Sequence, residues 1–68
     1  MIIAVSGGFD PVHIWHIRYL KAASELGKVL VMLNTDEWLT RKKGKPFIPY
    51  RERKEVLEAV RYVHMVFQ

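Results

Sequence analysis

The chain has 68 residues, 50% hydrophobic and 26% charged, the balance of one small folded domain and not of a disordered tail. Eleven Lys and Arg against seven Asp and Glu leave a net charge of +4, a surface that attracts phosphate-bearing partners. The absence of a long apolar run, of a charged segment before Met1-Ile2-Ile3 and of any cysteine argues against a membrane span, a secretory leader, a disulfide framework and a thiolate metal site, and fits a reducing cytoplasm. No zinc-ligand spacing is visible either. A domain of about 60 residues buries only about 60% of its unfolded surface, so oligomerisation is the expected source of further core.

Met1 to Ser6 is an almost wholly apolar run without polar alternation, which reads as a buried parallel strand. Gly7-Gly8 breaks it, and Phe9-Asp10-Pro11 reads as a turn. From His13 the period becomes helical, with Ile17, Leu20, Ala23 and Leu26 predicted inward and Gly27 ending the helix in a left-handed conformation. Val29 to Leu33 repeats the buried-strand pattern. Asn34-Thr35-Asp36 is a polar turn, and Glu37-Trp38-Leu39 is one short helical turn. Thr40 to Pro49 reads as a basic loop. Pro49 opens a second helix with Val56, Leu57 and Val60 inward, and Val63 to Phe67 is a third strand. The order is two βαβ units, so the strands are parallel and the crossovers right-handed. The expected fold is α/β: half of a doubly wound, Rossmann-like sheet (β-α-β-α-β) occupying residues 1–68.

Chemistry concentrates at the first strand-to-helix turn. Two glycines at a strand's carboxyl end let backbone approach closely and free their amide N–H groups, and a helix N-terminus adds partial positive charge. His13 and His16, three apart, share a face of the first turn and point back at the loop. As hydrogen-bond donors they can hold a phosphoryl group and stabilise charge that develops during its transfer. Taken singly, Gly-Gly is as often a plain turn, and two histidines are more often incidental. Their conjunction at a strand–helix switch reverses that balance.

The segment Gly7-Gly8-Phe9-Asp10-Pro11-Val12-His13-Ile14-Trp15-His16 resembles the G-x-F-D-x-x-H-x-G-H segment of the cytidylyltransferase-like nucleotidyltransferases. The likeness runs the length of the chain through Leu26-Gly27, Asn34-Thr35-Asp36-Glu37, the Arg41-to-Lys45 stretch and Tyr50-Arg51-Glu52-Arg53-Lys54. It implies transfer of a nucleotidyl group from CTP or ATP to a phosphorylated small molecule, with release of pyrophosphate and with Mg2+ accompanying the triphosphate. No covalent intermediate forms in that chemistry, so alignment and charge stabilisation carry it. By resemblance, His13 and His16 contact the phosphates and stabilise the transition state, Gly7, Gly8 and Phe9 line the nucleotide loop, and Asp10 anchors the turn. Lys42 and Lys45 touch phosphate, and Arg53 serves either substrate or structure.

Two departures qualify the likeness. Trp15 stands where the family has glycine, which puts an indole where base or ribose would pass. The family's later phosphate-contacting segment and the strands on the other side of the first strand have no counterpart here. Met1 to Ser6 then becomes a sheet edge, and two chains are expected to pair along it, antiparallel about a two-fold axis, as a homodimer with a six-stranded sheet. Trp15 would fill the emptied crevice or pack on the partner. The alternative function is a catalytically inactive, self-associating module with Trp15 blocking the nucleotide site. Nucleic acid is a poor candidate partner, since the lysines sit in one loop and no stacking platform is visible.

Overall fold

A computed structural model describes residues 1–68. The elements run β1 (Ile2–Gly7), α1 (Ile14–Ser24), β2 (Lys28–Leu33), α2 (Asp36–Lys43), α3 (Tyr50–Glu58) and β3 (Val63–Phe67). The strands form one parallel sheet in the order β1-β2-β3, leaving β1 as a free edge. The α/β half-sheet expected from the apolar runs is therefore present, with strand ends within a residue or so of those read from sequence.

Pleating sorts the strand residues into two faces. Ile3, Val29 and Val63 align in register, as do Val5, Val31 and Val66, and these turn towards the helices. Leu20 and Ala23 of α1 and Leu57 of α3 join Val5, Val29, Val31, Leu33 and Val66 in a single apolar cluster. Both long helices thus cover the same sheet face. The opposite face carries Ala4, Leu30 and Met65 in one row and Ser6, Met32 and Phe67 in the next, and Ile2, Met32 and Met65 are exposed there. Within residues 1–68 the expected burial of the strands is therefore found on the face under α1 and α3 and not on the other. A register shift opposite Val29 and Leu30 leaves His64 out of the ladder, which lets both Val63 and Val66 face inward.

Other expectations change for local reasons. α1 stops at Ser24, and Leu26 lies in the turn beyond it, 68% exposed instead of inward. Gly27 has no left-handed backbone; its requirement is space, because a Cβ there would collide with the Met1 carbonyl. That carbonyl accepts from the Lys28 N–H at 2.9 Å and starts the β1–β2 ladder. In α3, Val56 is exposed and Arg53, one turn before Leu57, takes the inward position. Pro49 is the N-cap of α3, one residue before the first helical position. The reading of Thr40 to Pro49 as loop holds only from Gly44 onward, since Thr40 to Lys43 complete an eight-residue α2. No helix is long and apolar enough to cross a membrane.

Candidate functional site

β1 delivers the chain into a corner where side chains crowd both glycines. A Cβ on Gly8 would lie 2.9 Å from Leu39 Cδ2, and one on Gly7 would lie 3.1 Å from the Phe9 ring. Phe9 is buried under this corner with φ of 48°, an uncommon backbone for a residue with a side chain. Its ring meets the His16 imidazole with centroids 4.8 Å apart. A phenyl ring therefore fills the floor of the corner and props one imidazole.

The two histidines are joined by a reciprocal cap. His13 is the N-cap of α1, and its Nδ1 accepts from the Trp15 N–H at 3.3 Å. His16 reaches back, its Nδ1 accepting from the His13 N–H at 2.9 Å. This is the capping-box arrangement with imidazoles in place of Ser and Glu. A ring nitrogen that accepts an N–H carries no proton, so each neutral ring bears its proton on Nε2. Neither Nε2 has a protein partner. In both rings Nδ1 is spent on backbone and Nε2–H is left to donate. Burial against Phe9, and then the proximity of His13, hold the His16 pKa below its ordinary value. His16 is accordingly a neutral donor at neutral pH, not a cation.

Asp10 closes the turn. Its carboxylate accepts from the Ile48 N–H at 2.7 Å and the Phe47 N–H at 2.8 Å, and its Oδ2 lies 2.8 Å from Lys43 Nζ. Lys43 Nζ also donates to the Asp10 carbonyl at 3.2 Å. Burial alone would raise this carboxyl, but Lys43 and the two backbone N–H groups outweigh it and hold the pKa below the ordinary value. Asp10 therefore clamps the segment after α2 onto the first turn, as an anchor should.

Arg53 is the hub beneath. It is 1% exposed; its Nε donates to the Ile48 carbonyl at 2.9 Å, and its Nη1 donates to the Gly8 carbonyl at 2.7 Å and the Asn34 carbonyl at 2.8 Å. Nη2 meets Asp36 Oδ1 at 2.7 Å. That bond, with the Tyr50 N–H adding to it, lowers the Asp36 pKa. Four protein acceptors occupy the guanidinium, so of the two roles the resemblance allowed, structure describes Arg53 and phosphate binding does not.

The basic residues divide differently from expectation. Lys43, not singled out, reaches the corner, whereas Lys42 lies over the Trp38 ring at 5.5 Å and Lys45 is exposed in the loop. Helix phase could have separated them: Thr35 caps α2, Asp36 and Glu37 follow, and Arg41 to Lys43 end it before Gly44, a charge order that suits a helix dipole. Trp15 is 67% exposed with the Arg18 guanidinium 5.0 Å from its ring.

A family model described as Cytidylyltransferase-like matches residues 4–68. An FAD synthase of Pyrococcus abyssi is 46% identical over 63 residues, which is 90% of this chain and 43% of that protein. A glycerol-3-phosphate cytidylyltransferase of Bacillus subtilis is 43% identical over 61 residues, 88% of this chain and 47% of that protein. Among solved structures, a lipopolysaccharide core biosynthesis protein from Thermoplasma volcanium superposes with a TM-score of 0.91 at 24% identity, over 98% of this chain and 56% of that one. The chain thus spans under half the length of these curated relatives.

Proposed function

The chain belongs to the cytidylyltransferase-like family, and from that premise we propose that its glycine corner serves nucleotidyl transfer. A phosphate oxygen of the acceptor attacks the α-phosphorus of a nucleoside triphosphate, the bond from that phosphorus to the bridging oxygen breaks, and pyrophosphate leaves. The observation that carries this reading is the reciprocal Nδ1 cap, which leaves two Nε2–H donors at the positive end of α1. Donors fixed before the substrate arrives need no reorganisation as negative charge grows on the transferring group. In this reading Lys42 and Lys45 offer positive charge to the triphosphate, and Lys43 holds the corner through Asp10.

Magnesium enters only as the counter-ion of the triphosphate. No group of three His, Asp or Glu side chains is placed to hold a metal ion, and the corner's two aspartates are each paired with a cation of the chain. The FAD synthase and cytidylyltransferase relatives leave both ATP and CTP as donors to test. The proposal includes a cytoplasmic location and a second copy of the chain along β1.

Calorimetric titration of the chain with Mg·ATP and Mg·CTP tests the reading. Saturable binding of one of them, lost in His16→Ala, supports it. Absence of binding to both assigns the corner a structural role.

A further inference from the structure

Phe9 is the one residue other than glycine with a positive φ, at 48°, and it is buried all the same, 5% exposed. A side chain kept in that backbone region is held there against a conformational cost, so packing or chemistry must fix it. Its ring touches three things. It belongs to the apolar cluster with Val5, Leu20 and Leu33. Its Cε2 lies 3.1 Å from where a Gly7 Cβ would stand, so the bare glycine is the gap that admits it. Its remaining contact is the His16 imidazole, with centroids 4.8 Å apart and planes inclined at 55°.

The cap alone does not orient His16. One hydrogen bond, from the His13 N–H to Nδ1 at 2.9 Å, pins a point on the ring and leaves it free to turn about that bond. A second contact off that line is needed to set the plane, and the phenyl ring supplies it. We infer that Phe9 is the positioning residue of His16: anchored in the core, its ring sets the direction of Nε2–H and keeps the imidazole a neutral donor to the transferring phosphoryl group. This rests on the nucleotidyl-transfer reading.

Orientation and neutrality are one condition. A proton on Nδ1 would repel the His13 N–H and open the cap. His13 is the titratable group that acts on the ring, Phe9 brings no charge, and both oppose protonation, burial more than charge. The strained Phe9 backbone thus holds in place the ring that His16 needs beneath it.

The test begins on the intact chain without nucleotide. In the wild type, NMR should show NOEs between the Phe9 and His16 ring protons and a His16 pKa below the ordinary 6.5. Phe9→Leu keeps apolar bulk and removes the aromatic face, whereas Gly7→Ala keeps the phenyl and displaces it. In either variant, folded by circular dichroism, the His16 pKa should rise towards 6.5 and its Nε2–H tautomer should give way to exchange between tautomers. Titration with whichever of Mg·ATP and Mg·CTP the wild type binds reads the consequence. Relative to wild type, Phe9→Leu should gain about threefold in affinity between pH 7.5 and pH 6, as His16 becomes a cation. Absence of the wild-type NOEs, a wild-type His16 pKa of 6.5 or more, or a folded variant whose His16 pKa and tautomer match the wild type would each overturn the inference. Ring signatures as expected in a chain that binds neither triphosphate would overturn the nucleotidyl-transfer reading and leave the hold of Phe9 on His16 standing.

Discussion

Arg53 sits in the core because acceptors from separate stretches of chain converge on its guanidinium: the Gly8, Asn34 and Ile48 carbonyls and the Asp36 carboxylate. Truncating it to Met strands all of them, and the expected loss is about 3–5 kcal/mol in a urea titration. Arg53→Lys should recover little, since one ammonium cannot span the planar fork. A neutral Lys substitution would show that the fork geometry is not what holds the corner. His16 is a second residue whose role is electrostatic. Its folded pKa is lowered, so between that value and the ordinary 6.5 the unfolded chain binds more protons. The stabilisation is then complete above 6.5 and is lost as pH falls through the folded value. Urea midpoints should drop between pH 7.5 and 5.5, and His16→Asn, which keeps an acceptor for the His13 N–H, should flatten that dependence. The corner was legible in the sequence because glycine, phenylalanine, aspartate and two histidines fall at fixed offsets. The choice of Lys43 was not, because three consecutive cations look alike until helix phase separates them.

At the scale of elements, α2 shows what local patterning hides and reveals. Thr35 caps it through a bond from the Trp38 N–H at 3.1 Å, and its last turn delivers Lys43 to Asp10. Thr35→Ala should cost about 1 kcal/mol of stability and loosen that ion pair, visible as a rise in the Asp10 pKa by NMR. An unchanged Asp10 pKa would mean that the loop after α2, and not its N-cap, positions Lys43. A run of cations after a tryptophan suggested a loop by composition, yet its capping and charge order were those of a helix. Strand positions were recoverable from apolar runs alone. Which face each strand buries was not, since Ile2, Ala4 and Met32 are as apolar as Ile3, Val5 and Val31. Only the placement of both α1 and α3 on one side decides it.

At the largest scale, residues 1–68 build a glycine corner at the carboxyl end of a three-stranded parallel sheet. The chain's family and half-sheet topology followed from motif and element order, whereas the exposure of Leu26, which helical period had turned inward, emerged only with the end of α1 at Ser24. The proposed nucleotidyl transfer depends on the two imidazoles offering Nε2–H outward. Long-range 1H–15N NMR of the histidine rings at pH 7.5, with and without Mg·CTP or Mg·ATP, measures that directly. The Nε2–H tautomer in both His13 and His16, with their Nε2 resonances moving on addition of one triphosphate, is the expected result; the Nδ1–H tautomer, or rings indifferent to both triphosphates, would contradict it.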